Sequence, residues 1–480
     1  MAKFYLTTTL PYVNDRPHIG FALEIVQADA LCRFRRLIGD EVFFNFGTDE
    51  HGQKIYQKAL EAGEDPQTYA DRYASTFKQL RESLNLSYDA FIRTTDQHHK
   101  AAAQEFWKRC MDAGDIYKKA YQIKYCVGCE LEKTDSELVD GKCPLHSNLQ
   151  VELINEENYF FRLSKYQDKL LELYNNNPDF VVPAFRLNEI HSLIATEGLQ
   201  DFSISRLKSK LPWGVDVPND PEQVMYVWFD ALINYISTLG WPEDGEKFTE
   251  FWGTKENTNA IQFAGKDNVR QQAAMWQAML MSAGLPNSKQ IFIHGFISVN
   301  GQKMSKSLGN VIYPVEFAKQ YGTDALRYFL LRHIHQFEDS DFSEERFRDD
   351  YNANLANGIG NLAARIMKLA EDHLSVPIGP KLFHYSQELQ NDMSAFEFNR
   401  AMDSIWQEIQ HVDQRITVEE PFNVVKTDPE NGKKIIADLV GNLYSIAQAL
   451  EPFLPETAQK IQQAILANKK PENLFPRLEN

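Results

Sequence analysis

The 480-residue chain is 43% hydrophobic and 24% charged, enough for about two to four domains with their own cores. Its 67 acidic residues outnumber 50 basic ones, giving a formal net charge of -17 and a pI near 5.2. That balance excludes a general nucleic-acid coat but leaves room for one local basic groove. Five cysteines form too sparse and odd a set for a disulfide framework, so a reducing, cytoplasmic setting is expected. The N-terminus does not read as a secretory leader, and no apolar run reaches the ~18 residues needed to span a membrane.

In chain order, Lys3–Leu10 alternates in β-prone fashion and stops at Pro11. A turn, His18-Ile19-Gly20-Phe21, then opens a predicted helix over Ile19–Ile38, with Ala22, Ile25, Val26, Ala30 and Phe34 at helical spacing. Glu41–Gly47 reads as a buried parallel strand, and another helix is expected from Gln53. Strand, helix, strand, helix is the rhythm of a doubly wound α/β sheet. A helix N-terminus after a strand offers backbone N–H groups to an anion. Gly20 would let a flat base approach the backbone, and His18 offers a donor to a phosphate.

From about Ile116 the rhythm breaks. Cys126-x2-Cys129 and Cys143-x2-His146 are separated by thirteen residues, each pair in a tight turn. Three thiolates and one imidazole supply the four ligands of a closed, structural tetrahedral zinc site. Near Ser203 the α/β pattern returns. Ala260–Gly265 and Gln290–Ser298 are strand candidates around a helix expected over Val269–Ala283. The segment Asn300–Asn310, "NGQKMSKSLGN", is a cationic loop suited to closing on a polyphosphate. After about Asn352 the chain reads as a helical bundle.

These motifs together identify a family. The near-HIGH tetrapeptide His18–Phe21 and the KMSKS run Lys303–Ser307 resemble the class I aminoacyl-tRNA synthetases. "TLPYVNDRPHIG", "GTDEHGQKI", "ENYFFRLSKY", "VWFDALINYIS" and "VNGQKMSKSLGN" resemble methionyl-tRNA synthetases, and the lone Cys/Cys–Cys/His knuckle resembles their bacterial single-zinc type. The resemblance implies a Rossmann-type α/β catalytic domain over 1–115 and 204–292, split by a zinc-binding connective insertion over 116–203. A KMSKS/stem-contact segment over 293–354 and an all-α anticodon-binding bundle over 355–480 would follow. The implied reaction is ATP-dependent ligation of methionine to tRNA(Met) through a methionyl-adenylate, with Mg(2+) accompanying ATP and zinc held structurally, in a monomer.

Carried over by motif, His18, Lys303 and Lys306 would be catalytic, and Gly20, Phe21 and Ser305 would complete the ATP site. Asp49 would hold the substrate ammonium. Leu10, Tyr12, Trp228, Ala231, Tyr235, Asn268, Gln272 and Trp276 would line the methionine site. Asn357, Asn361, Arg365 and Phe422 would read the anticodon, the first three lying four apart on one helix face. The sequence departs from the family at Phe21, where the second HIGH histidine is usual. It departs also at Asn268 (usually apolar), Gln272 (usually histidine) and Phe422 (often tryptophan). Those departures frame an alternative: a synthetase-like paralogue that binds tRNA or nucleotide with altered amino-acid choice or weak aminoacylation.

Overall fold

The computed structural model describes residues 1–129, 131–133, 135–305, 308–379 and 383–479. Two compact units divide it. One comprises Met1–Pro17, Glu41–Gln79 and Tyr88–Ile293; the other comprises His18–Asp40, Leu80–Ser87 and His294–Asn480.

The first unit is built on strands β1 (Lys3–Thr8), β2 (Glu41–Thr48), β3 (Ala90–Arg93), β4 (Val181–Val182), β5 (Ala260–Gly265) and β6 (Gln290–His294), in the order β3-β2-β1-β5-β6-β4. The registers of β1 with β2 and β5, β2 with β3, and β4 with β6 are all parallel. Strands covered on both faces should be apolar along their length, and every residue of β5 is buried. The strand order reverses between β1 and β5. In an open α/β sheet, the crevice beyond the carboxyl ends at such a reversal is where ligands bind. The segments carrying Tyr12 and Asn268 leave β1 and β5 at that end.

Within the same unit, the insertion forms an antiparallel sheet ordered Leu131–Lys133, Ile116–Cys126, Glu152–Phe161, Phe202–Ser203. The long hairpin pairs Ile116 with Phe161 and Tyr125 with Glu152.

Two sequence expectations are corrected here. The run Gln290–Ser298 is not one strand. β6 ends at His294, and Ile297–Val299 joins a separate small sheet with Gln302–Lys303 and Ser340–Phe342. Gly295 marks the break, because a Cβ there would lie 2.2 Å from the Glu338 carbonyl. The helix expected over Val269–Ala283 is not regular either. Arg270–Met275 winds in wide turns with i→i+5 hydrogen bonds, and only Trp276–Ser282 is α-helical. Such wide turns concentrate at functional sites.

The second unit is mainly helical. It contains the helix Ile19–Leu37, and its C-terminal region carries the long helices Phe398–Glu419 and Pro429–Leu450 around a core including Ile366, Trp406, Leu439 and Leu443. Asn361 and Arg365 lie on the α-helix Asn361–His373, but Asn357 lies in a wide-turned segment, Tyr351–Gly360, whose Gly358 leaves helical geometry at φ -86°, ψ -109°. The regular face expected to carry all three is therefore interrupted between Asn357 and Asn361.

One buried cation ties this unit together. Arg327 and Asp29 are fully buried and 2.8 Å apart. Arg327 also donates to the carbonyls of Leu84, Pro452 and Phe453. Asp29 further accepts from Arg33 and from the Ser87 backbone and hydroxyl. Burial opposes the Asp29 carboxylate, but Arg327, Arg33 and Ser87 outweigh it and hold its pKa below the usual range. A carboxylate with a lowered folded pKa adds stability above its unfolded pKa, near 4, that is lost as pH falls through the folded value. Arg327→Met should destabilise this unit by about 3–5 kcal/mol, the usual consequence of removing one partner of a buried pair. Urea unfolding at neutral pH should show this as a lower midpoint. An unchanged midpoint would show that the hub is not a major anchor.

Candidate active site

In the first unit, the segments following β1 and β2 are tied to each other. Asp49 N–H donates to the Pro11 carbonyl at 3.0 Å, and Val13 N–H donates to the Asp49 carbonyl at 3.2 Å. This holds Tyr12 and Asp49 beside the carboxyl ends of their strands. Tyr12 meets Trp228 edge-on at 6.2 Å between ring centroids. The Trp228 indole N–H is buried without an acceptor among the described residues. Tyr235 is buried, meets Trp276 edge-on at 5.8 Å, and accepts a 2.6 Å hydrogen bond from the Gln272 amide. Ala231 and Tyr235 sit on the successive short helical turns Val227–Ala231 and Asn234–Ser237.

The structure thus gathers Tyr12 with Trp228, and Tyr235 with Gln272 and Trp276. Trp276 is fully buried and also stacks on Phe106 at 5.7 Å, so much of its surface belongs to the core. Leu10 and Asn268 are half-buried, and the Asn268 amide donates to Asp267.

Sequence reasoning missed the charged groups beneath these residues. Glu50, next to Asp49, is fully buried, and its carboxylate accepts from Nε and Nη2 of the Arg93 guanidinium at 2.6 and 2.8 Å. The Thr48 and Thr95 hydroxyls also donate to the carboxylate, and the Trp213 indole donates to the Glu50 backbone carbonyl. Burial opposes the Arg93 charge, yet Glu50 and Asp71 raise its pKa. His51 Nδ1 lies 3.1 Å from Asp230, and His99 Nε2 lies 3.7 Å from the other oxygen of that carboxylate. Burial would raise the Asp230 pKa, but His51 and His99 more than offset it, so Asp230 is held ionised. The sequence signal was that "WFDALI" places the Asp230 carboxylate inside an apolar run, which demands a partner.

In the second unit, His18 caps the helix Ile19–Leu37, its Nδ1 accepting from the Gly20 N–H at 3.1 Å. A backbone N–H can only donate, so a neutral His18 carries its proton on Nε2 and presents it as a donor. A Cβ on Gly20 would lie 2.9 Å from the His18 ring and 3.8 Å from the Met304 methyl. Glycine is therefore needed for the cap, and the capped turn sits beside the loop of Met304. Phe21 packs on the His18 imidazole, with centroids 4.5 Å apart and planes 33° apart.

Lys303 is exposed on the short strand Gln302–Lys303, joined to Ile297–Val299 by a turn at Asn300 and Gly301, both of positive φ. Asn310 braces the loop, accepting from Ser305 N–H at 2.8 Å and donating to the Lys303 carbonyl at 3.3 Å. Lys306 lies outside the described residues. Asn357, Asn361 and Phe422 are exposed, whereas Arg365 is half-buried and paired with Asp413 at 2.5 Å.

The sulfur atoms of Cys126, Cys129 and Cys143 and one ring nitrogen of His146 all lie within 4.8 Å of one another. The separations include 3.4 Å from Cys129 to Cys143 and 3.2 Å from Cys129 to His146 Nδ1. Ligands at about 2.3 Å from a tetrahedral centre stand about 3.7 Å apart, so the set is close to what a metal ion requires. Gly128 makes room for the imidazole, since a Cβ there would lie 2.5 Å from it.

The family described as "tRNA synthetases class I (M)" matches residues 4–151 and 146–367. The methionine–tRNA ligase of Thermotoga maritima is 40% identical, over 100% of this chain and 77% of its own length. That of Rhizobium meliloti is 41% identical, over 96% and 91% respectively. A solved structure of Mycobacterium tuberculosis methionyl-tRNA synthetase in complex with methionyl-adenylate superposes with a TM-score of 0.89 at 36% identity, over 100% of this chain and 99% of the other. This chain belongs to the class I methionine–tRNA ligases.

Membership in that ligase family accounts for the order of the motifs along both units. Among the described residues, no helix is long and apolar enough to cross a membrane. The metal-binding capacity of the Cys3His cluster is directly testable. The purified protein should carry one metal ion per chain, and Cys129→Ala should lose it, as read by elemental analysis. A metal-free wild-type protein, unchanged in structure by chelator, would remove the cluster from the list of metal centres.

Proposed function

We propose that this chain ligates methionine to tRNA(Met) in two steps, with the residues above in the following roles. The reading is carried by one observation: the His18–Gly20 turn and the Lys303–Ser305 loop lie side by side, with Met304 next to Gly20. A histidine N–H donor and a lysine-bearing loop at a helix N-terminus form a receptor for a polyphosphate.

In the first step a methionine carboxylate oxygen attacks the α-phosphorus of ATP. The new P–O bond forms as the bond to the bridging oxygen of pyrophosphate breaks. His18 donates from Nε2 to a phosphate oxygen, Gly20 seats the adenine, and Lys303 and Lys306 neutralise charge on the departing pyrophosphate. The family motif supplies the role of Lys306. Mg(2+) accompanies ATP and offsets its charge. Asp49 binds the methionine ammonium, while Tyr12, Trp228, Ala231 and Tyr235 enclose a side chain whose polarizable sulfur suits aromatic surfaces. In the second step a hydroxyl of the terminal tRNA ribose attacks the adenylate carbonyl, and AMP leaves.

The metal of the Cys3His cluster is read as structural zinc, since four protein ligands leave no open position for chemistry. Asn357, Asn361, Arg365 and Phe422 are assigned to the anticodon. Arg365 must exchange its Asp413 partner for a base to take part. The working unit is a single chain.

Methionine-dependent ATP–pyrophosphate exchange, with other amino acids as controls, tests this reading. Exchange driven best by another amino acid would overturn the choice of substrate. Lys303→Ala and Lys306→Ala should each slow exchange by roughly 10²–10³ with little change in methionine affinity, the usual effect of removing one oriented donor from a charge-developing step. Unchanged exchange would remove that lysine from the phosphate site.

Phe21 separates this reading from the paralogue alternative. Stacked on His18, it supports the ring but cannot make the hydrogen bond of a second histidine. A neutral hydrogen bond contributes about 0.5–1.5 kcal/mol net, so Phe21→His should leave exchange within about tenfold of wild type. A wild-type protein without exchange, restored by this one change, would favour the paralogue.

A further inference from the structure

Behind the proposed methionine site runs a chain of buried amides and hydroxyls. Tyr235, Gln262, Gln272, Gln277 and Ser288 are each at most 4% exposed. Their hydrogen bonds have one direction, and it can be derived from a backbone anchor. The Ser288 N–H donates to Gln277 Oε1 at 3.1 Å, and the Asn287 amide donates to the same atom at 3.1 Å. A backbone N–H has no acceptor role, so that atom of Gln277 is the oxygen. Gln277 Nε2 then donates to the Gln272 carbonyl at 2.9 Å and to Ser288 Oγ at 3.0 Å. Ser288 Oγ accepts there, and among the described residues the acceptor that its own hydrogen reaches is Gln262 Oε1. Gln262 Nε2 therefore donates to Gln272 Oε1 at 3.1 Å, and Gln272 Nε2 donates to the Tyr235 hydroxyl at 2.6 Å.

An amide can be turned over with little change in shape, so an isolated glutamine could show a pocket either its oxygen or its nitrogen. Here the orientation of Gln272 is dictated three links away. A neutral imidazole at this position would also choose between two tautomers; the glutamine in this chain does not, because its oxygen is already held by Gln262. Gln272 shows its N–H side to Tyr235, and the Tyr235 oxygen accepts.

We infer that Gln262, Ser288 and Gln277 are positioning residues for amino-acid selection, fixing the Gln272–Tyr235 pair as a hydrogen-presenting end of the side-chain site. A thioether sulfur is a weak acceptor and never a donor, so such a surface complements it. A branched hydrocarbon side chain of similar size offers that surface no acceptor. The inference rests on the proposed methionine site and deepens it.

The test is steady-state exchange with methionine and leucine on four proteins: wild type, Ser288→Ala, Gln262→Met and Ser288→Thr. Ser288→Ala and Gln262→Met each cut the chain at a different link while approximating the original volume. Each should raise the methionine KM about five- to tenfold, the range expected for one net hydrogen bond. The kcat and the KM for ATP should stay within about twofold, and preference for methionine over leucine should fall by a similar factor to the KM change. Ser288→Thr keeps the hydroxyl and should return the methionine KM to near the wild-type value. A purely structural role would lower the melting temperature and both KM values or kcat together. Folded variants with unchanged methionine KM and unchanged leucine discrimination overturn the relay while leaving the methionine site standing. A wild-type protein without methionine-dependent exchange removes both.

Discussion

A charge taken out of water must be met by another charge or by hydrogen bonds, and buried pairs that obey this constraint underlie the segments carrying Asp49 in one unit and His18 in the other. Glu50 is met by Arg93, Asp230 by His51 and His99, Asp29 by Arg327, and Glu24 by His294 at 2.8 Å. None of these acids is itself proposed to touch a reactant. Each fixes a segment that does. Glu50 and His51 hold the turn carrying Asp49. Asp29 and Glu24 lie on the helix whose first turn bears His18 and Gly20. The proposed ligand-binding groups stand on turns that could otherwise move, and buried pairs beneath those turns set where they stand.

Polar order of a gentler kind continues into the amino-acid site. Aromatic rings give it shape without direction, because a ring face accepts many apolar side chains. The amide chain from Ser288 to Tyr235 adds direction, since each link has one donor and one acceptor. The nucleotide side works differently. There the proposed donors are one imidazole at a helix start and Lys303 on a loop braced by Asn310. Fixed donors suit the recognition of a neutral side chain. A phosphate whose charge grows during reaction is better served by cations and a helix terminus.

The four departures from the family pattern have unequal structural explanations. Phe21 stacks on His18, and Gln272 is locked into a continuous network. Phe422 stays exposed on the helix Pro421–Thr427, as a stacking residue must. For Asn268, the structure gives only a contact with Asp267, and nothing else in it explains the change from an apolar residue.

The sequence by itself determined the family and the four members of the Cys3His cluster, and it supplied the two motifs proposed to bind phosphate and the aromatic residues proposed for the pocket. Those signals are local: a tetrapeptide, a pentapeptide, two Cys/His pairs at short spacing, and periodic apolar residues over Ile19–Leu37. Elements whose patterning agreed with their burial, such as β2 and β5, were legible to within a residue. The run Gln290–Ser298 reads as one strand because β-prone residues flank Gly295 on both sides, and only the structure shows the close approach of the Glu338 backbone that leaves no room for a side chain there. The wide turns at Arg270–Met275 and Tyr351–Gly360 were hidden because apolar spacing scarcely distinguishes i→i+4 from i→i+5 winding over so few residues. The pairs Asp29 with Arg327 and His51 with Asp230, and the path from Ser288 to Tyr235, were decided by tertiary structure alone. Their members are far apart along the chain, and a hydrogen bond between distant residues leaves no periodicity in a sequence. Only the folded backbone brings the donor within 3 Å or so of its acceptor, at the distance where the bond exists.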